Sequence, residues 1–224
     1  MTRHEADHRA DHRVDHRALP GVVHRVGPDA LLVEVGDADE AAALFLEVRR
    51  RGLRAQDVVP AARTVLLTGL SEPDRVAEEV RRWPLDDALQ RLRESERPVV
   101  EVPARFDGPD LADVARSWQI APRAVVDLLL AAELVVAFCG FAPGFAYCTG
   151  LPEGRTVPRL DTPRTRVPAG SIGLAGPYAG IYPSPSPGGW RLVGTTDLAL
   201  WDPEREEPAT LVPGTRLRLV ESDR

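Results

Sequence analysis

Lysine is absent from this 224-residue chain; all 28 basic residues are arginines. That excludes a P-loop lysine, a Schiff base and a lysine general base from this polypeptide. Histidine is confined to the start of the chain, at His4, His8, His12, His16 and His24. A Ser-His-Asp or Cys-His constellation would have to borrow its histidine from that segment. The cysteines are two, Cys139 and Cys148. Without a histidine beside them they make a poor metal site, and they read as buried small hydrophobes. No run approaches the roughly 20 apolar residues that span a bilayer, and the charged N-terminus lacks the apolar core of a secretory signal. A cytoplasmic location and no membrane partner are the expectations. The net charge of −6 offers no general footprint for nucleic acid.

The histidines that do occur follow a four-residue repeat, with Asp-His-Arg at 7–9, 11–13 and 15–17. On a helix they would form an i,i+4 ladder able to hold zinc or nickel. The alternative, a solvated, disordered tail over residues 1–18, is favoured because the repeat has no apolar face to pack. No metal site is assigned.

From Leu19 onward the pattern is globular. Strands are expected at 22–26 and 30–35, joined at Gly27-Pro28-Asp29, a turn sequence. A helix follows with Ala41, Leu44, Phe45 and Val48 on one face, acidic residues at its start, Arg49–Arg51 at its end and Gly52 as a stop. Short strands at 58–59 and 64–67 and a helix from Pro73 to Trp83 complete a small α+β domain over 19–96, for which a ferredoxin-like arrangement is one option. A third helix at 86–94 leads out of it. A mainly β domain is expected over 97–224, opening with a strand at 97–106. Helices at 111–118 and 122–131 could pass for a DNA-binding pair. The second offers only Arg123 and Asp127 as charges, so a helical hairpin packed on a sheet is the stronger reading.

What the chain has in abundance is glycine and proline between Gly140 and Gly194, a stretch holding more than half of the 18 glycines. Large apolar residues punctuate it, including Phe141, Phe145, Tyr147, Ile172, Tyr182 and Trp190, so it reads as short strands and tight turns rather than a linker. Chemistry there must come from arginines, carboxylates, hydroxyls and backbone amides; no catalytic residue is assigned. Arg159, Arg164 and Arg166 cluster with Asp161 before the turn at Pro168-Ala169-Gly170-Ser171. Arginine forks and glycine amides such as that of Gly144 suit a small anionic substrate. The alternative is that these arginines satisfy carbonyls in a proline-rich bend. Tyr147 and Tyr182 could line a pocket with hydrogen-bonding tips, and Ser171 could cap or donate. Phe141 and Phe145 could wall it, although core packing is the favoured use of both, as of Trp190.

Three motifs occur in order: Gly140-Phe141-Ala142-Pro143-Gly144-Phe145-Ala146-Tyr147, then Pro163-Arg164-Thr165-Arg166-Val167-Pro168-Ala169-Gly170-Ser171, then Gly180-Ile181-Tyr182-Pro183 with Ser186-Pro187-Gly188-Gly189-Trp190. Together they resemble the family of the B-type subunit of 5-oxoprolinase, also known as allophanate hydrolase subunit 1, which includes a sporulation-kinase inhibitor. The resemblance extends more weakly over 19–220. It implies an α+β N-terminal domain followed by a cyclophilin-like β-barrel. It also implies the C-type and A-type subunits of the same enzyme as partners, and ATP-dependent opening of 5-oxoproline to glutamate, with ATP bound by the assembled complex. Phosphorylating the lactam oxygen would help open a stable amide. The family also resembles the carboxyltransferase portion of urea carboxylase, so a urea- or allophanate-pathway role and a kinase-inhibitor role stand as alternatives. Leu129, Leu134, Tyr178, Ala179, Thr195 and Thr215 occupy places where the family usually carries different, polar residues.

Overall fold

The computed structural model describes residues 21–94 and 99–222. The histidine repeat and the junction at 95–98 lie outside the described residues. Strands β1 (Val22–Arg25), β2 (Leu31–Glu34), β3 (Val58–Pro60) and β4 (Thr64–Leu67) form an antiparallel sheet ordered β1-β2-β4-β3. Helix α1 (Ala38–Arg50) joins β2 to β3, which run parallel with β4 between them. This split β–α–β unit is that of a ferredoxin-like sheet whose usual last strand comes first in the chain. Helix α2 (Pro73–Arg81) follows β4.

Local chemistry explains α1. The Asp37 carboxylate accepts from the Glu40 N–H at 2.9 Å, and Glu40 reaches back to the Gly36 N–H at 2.6 Å, so two orphan donors at the helix start are satisfied. Ala41, Leu44 and Val48 recur at helical spacing and are buried with Val33, Val65 and Leu67 of the sheet. Helix α3 (Leu85–Glu94) does not lead away, as its sequence position suggests. It places Leu85 and Ala88 in the same core, and Arg91 bonds to Glu47 of α1 at 2.8 Å.

Glu47 is the charged residue this arrangement buries, with its side chain 3% exposed. It accepts from Arg50 at 2.8 and 2.6 Å and from Arg51 at 2.5 Å, besides Arg91. These partners, Arg50 foremost, outweigh the opposing effect of burial and hold its pKa down at about 2 from an ordinary 4.5. A carboxylate whose folded pKa lies below its unfolded value stabilises the fold above the unfolded pKa, and that contribution is lost as pH falls through the folded one. Its size is on the order of 3 kcal/mol. Glu47→Gln is therefore expected to lower Tm at neutral pH and to flatten the fall of Tm between pH 4.5 and 2. An acid profile identical to wild type would refute this.

The second sheet has seven strands: β5 (Val99–Ala104), β6 (Leu134–Cys139), β7 (Ala146–Thr149), β9 (Ser171–Ala175), β10 (Tyr178–Ile181), β12 (Arg191–Thr195) and β13 (Arg216–Glu221). Their order is β12-β9-β10-β7-β6-β13-β5, with β5 parallel to β13 and the other pairs antiparallel. Edges β5 and β12 meet at Arg105 and Thr195, which exchange N–H···O bonds of 2.8 Å, so the sheet is a nearly closed barrel. Helices α4 (Leu111–Trp118) and α5 (Pro122–Ala131) pack against it through Val114, Trp118, Val125 and Leu129. Their apolar faces are thus consumed by the core, as a hairpin on a sheet requires. A separate ribbon, β8 (Arg164–Val167) with β11 (Ser186–Gly188), lies beside the barrel.

Alternation along the strands then sorts the side chains between two faces. Ala146, Cys148, Ile172, Leu174, Ala179 and Ile181 join the helices in the larger core. The adjoining Phe145, Ala175 and Tyr182 face the other way and form a separate aromatic cluster with Trp190, Leu192 and Val167 of the ribbon, against which Tyr147 and Tyr178 pack. Glycines make room for the Trp190 indole there: a Cβ on Gly180 would sit 2.9 Å from its Cζ3.

Candidate functional site

A cleft of about 80 Å³ opens on this second face, lined by Phe141, Phe145, Tyr147, Arg159, Tyr182, Pro187, Gly188, Gly189 and Trp190. Its floor is a set of edge-to-face rings: Phe145 lies 5.2 Å from Tyr182, 5.4 Å from Trp190 and 5.0 Å from Tyr147, centroid to centroid. Such T-shaped contacts hold aromatic walls rigidly. Of the eight sequence-derived candidates, the fold brings together Arg159, Tyr147, Tyr182 and Phe145 here.

The other four are placed differently. Arg164 turns inward, donating to the Asp110 carboxylate at 2.8 Å and to the Trp190 carbonyl at 3.4 Å. Arg166 is exposed on β8, outside the cleft lining. Ser171 is buried, 2% exposed, at the start of β9. Gly144 has φ +81°, and a Cβ there would lie 2.9 Å from that of Trp201, so it serves the close approach of two loops rather than the cleft. Phe141, favoured as a core residue by its sequence, is instead 62% exposed at the cleft mouth. Phe145 and Trp190 are core residues and cleft walls at once.

Arg159 is exposed, and among the described residues it forms no hydrogen bond or ion pair. Its charge reaches both tyrosines. Burial nonetheless dominates there and raises the pKa of Tyr147 and of Tyr182, so both hydroxyls stay protonated at neutral pH. The cleft therefore presents the free Arg159 guanidinium, the neutral Tyr147 hydroxyl, glycine backbone and aromatic faces, while Tyr182, 1% exposed, contributes a buried wall. It can bind and polarise a small anion, but it holds no base and no nucleophile. The thiols do not change this. Burial pushes Cys139 up to about 11 and Cys148 higher still, so neither is a thiolate at neutral pH.

Sequence reasoning missed Asp110 and the rim at Gly188–Gly189. Asp110 precedes α4 and is 5% exposed. Its two oxygens accept from Arg164 at 2.8 Å and from the Leu192 N–H at 2.7 Å, tying helix, ribbon and barrel together beneath the cleft. The turn signature Gly108-Pro109-Asp110 ahead of a helix is the signal that could have found it. At the rim, a Cβ on Gly188 would lie 2.3 Å from the Tyr182 hydroxyl oxygen. Gly188→Ala is expected to destabilise the fold by about 1–3 kcal/mol through this clash. Tyr182→Phe in the same chain should recover part of the loss, and a Tm unchanged by Gly188→Ala would contradict the packing described.

The residues that depart from the family pattern lie outside the cleft lining. Leu129, Leu134 and Ala179 are buried in the larger core. Tyr178 sets its edge against Phe138 and Tyr147. The Thr195 hydroxyl donates to Asp107 at 3.0 Å, and that of Thr215 accepts from the Val212 N–H at 3.2 Å. A larger concavity of about 550 Å³ lies between α1, α3 and Val212-Pro213, but Arg50 and Arg91 on its wall are already held by Glu47.

The fold and cleft define a protein built on a nearly closed β-barrel, with an aromatic cleft bordered by Arg159 on one face. The chain belongs to the carboxyltransferase domain family, subdomains C and D, which matches residues 22–211. It is 44% identical over 150 residues to the B-type subunit of 5-oxoprolinase from Escherichia coli O157:H7, covering 66% of this chain and 67% of that protein. Against the B-type subunit of 5-oxoprolinase from Bacillus subtilis (strain 168) the identity is 39% over 158 residues, covering 68% and 64%. The chain thus aligns with about two thirds of these relatives' length. Among solved structures, TTHA0988 superposes with a TM-score of 0.69 at 34% identity, over 88% of this chain and 40% of that one. The urea amidolyase of K. lactis shares the fold, with a TM-score of 0.64 at 17% identity over 95% of this chain and 15% of that one. No helix among the described residues is long and apolar enough to cross a membrane.

Proposed function

We propose that this chain is the substrate-gripping component of an ATP-dependent 5-oxoprolinase-type amide hydrolase, acting with the C-type and A-type subunits to open 5-oxoproline to glutamate in the cytoplasm. The observation that carries this reading is the unpartnered Arg159 guanidinium at the mouth of a histidine-free aromatic cleft. Its fork suits a small carboxylate, the Tyr147 hydroxyl suits the polar edge of a lactam, and the rings suit its apolar body. Arg164 supports the site from behind, through Asp110, and Gly188–Gly189 supply backbone at the rim.

The residues of this cleft do not fit ATP. A volume of about 80 Å³ and one free arginine are too little for a triphosphate nucleotide. The nucleotide and the groups that open the ring therefore belong to the assembled complex. We also read the chain as two domains, 19–96 and 97–224, the second cyclophilin-like, because its cores on either side of residues 95–98 share no residue.

The test is co-expression with neighbouring genes for the C-type and A-type subunits and measurement of 5-oxoproline-dependent ADP release. A verified, folded complex with no such release would sink the enzymatic reading. The lack of a base or nucleophile in the cleft favours a second reading, a regulatory binding protein such as a histidine-kinase inhibitor. Recovery of a kinase rather than the C-type partner in a pull-down would support that instead. A urea- or allophanate-pathway role would appear as turnover dependent on those amides and not on 5-oxoproline.

A further inference from the structure

Phe141 occupies a backbone conformation that a phenylalanine enters only at a cost. Its φ is +70°, and the Ala142 N–H donates across it to the Gly140 carbonyl at 2.9 Å. A three-residue turn with positive φ at its centre is the rare, strained form of the γ-turn. For a bulky residue such geometry is an outlier, found where the surroundings hold it for a purpose. Burial of the ring does not offset the strain, because the residue remains 62% exposed. Glycine would adopt the same turn without penalty.

The ring is not loose. It stands edge-on to Phe145 at 5.3 Å and to Tyr182 at 6.4 Å, and it lines the cleft that Arg159 also borders. The turn is anchored on both sides, by Gly140 N–H to Phe145 carbonyl at 3.2 Å and Phe145 N–H to Ala142 carbonyl at 3.0 Å. An exposed aromatic face is thus held at a set place beside a cation.

We propose that Phe141 is a specificity-determining residue, whose strained turn presents its ring to the flat amide face of a small carboxylate held by Arg159. The inference rests on the substrate-gripping reading above and deepens it, by assigning to one side chain the selection of acids that carry a flat amide or ring face over acids that carry none. The ring's contribution is made only with ligand bound, which accounts for its exposure in the free chain.

The full chain is titrated with 5-oxoproline, benzoate and acetate by isothermal titration calorimetry, for wild type, Phe141→Ala and Phe141→Gly, with Tm measured alongside. Both variants should weaken 5-oxoproline and benzoate about 3- to 10-fold, the range of one aromatic contact, while acetate changes less than twofold. Phe141→Gly should match or exceed the Tm of wild type and exceed that of Phe141→Ala, because it relieves the turn. Equal losses for all three acids, or a Phe141→Gly chain whose Tm falls in step with its binding, would assign the ring a structural role and overturn the proposal. Unchanged affinities combined with loss of association with the C-type partner would overturn it in favour of a protein contact. In the assembled complex, a rise in KM for 5-oxoproline is expected. If that complex shows no 5-oxoproline turnover while acids with a flat amide or ring face still bind through Phe141, the hydrolase reading fails and this inference stands.

Discussion

Arg159→Gln is expected to raise the KM of the assembled complex for 5-oxoproline about 10- to 100-fold while leaving the Tm of the chain within a degree or so of wild type. The range follows from the roughly 1.5–3 kcal/mol carried by hydrogen bonds to a charged group. Stability should be indifferent because Arg159 is exposed and bonds to nothing among the described residues. Arg159→Lys keeps the charge but loses the planar fork, and should recover only part of the affinity. Arg166→Gln is the informative comparison: it removes an exposed arginine of the same motif region that does not line the cleft, and a change below twofold is expected. Steady-state kinetics with 5-oxoproline decide the matter. Equal effects at the two positions would mean that the region acts through its general field, and the assignment of the cleft would be wrong.

The largest effect on stability is expected from Asp110→Ala. The substitution leaves the partly buried Arg164 guanidinium without its carboxylate and the Leu192 N–H without its side-chain acceptor. Breaking a buried pair from one side costs about 3–5 kcal/mol, and the lower end applies because the Arg164 side chain is 28% exposed. For a chain of this size that is a fall in Tm of roughly 6–12 °C. Asp110→Asn keeps an acceptor for Leu192 and should lose less. Replacing both partners, Asp110→Leu with Arg164→Met, should cost less than the sum of the single changes, since no uncompensated charge remains. Thermal unfolding of the single and double variants completes the cycle. Strict additivity would show that the two residues do not act as a pair.

These two arginines show how far the sequence could be read. Arg159 and Arg164 lie in one short motif region, carry the same charge and stand among similar prolines. One faces a cleft and the other is locked to a carboxylate 54 positions away. Nothing local distinguishes them, because the distinction is made by Asp110 arriving from the start of α4. Phe141 and Phe145 present the same difficulty. Both belong to one Gly-Phe motif, yet Phe145 is 1% exposed and Phe141 is 62% exposed. Strand alternation decides the first and the γ-turn the second. By contrast, α1 and α2 were legible almost to their ends, since caps, charge bias and apolar spacing are all local.

The sequence by itself determined the helices, most of the strands, the aromatic and glycine framework and the chemistry available to the chain. With no lysine, and no histidine after His24, chemistry in its barrel has to come from arginines, carboxylates, hydroxyls and backbone amides. Those are properties of residue type and short-range spacing, which survive without a partner element. Tertiary structure alone decided that the second face of the barrel, rather than the helix-covered one, carries the cleft. It also decided that Arg159, and not Arg164, borders the cleft and that α3 closes the first core. Each depends on contacts between segments far apart in the chain, where burial and pairing, not propensity, set the outcome.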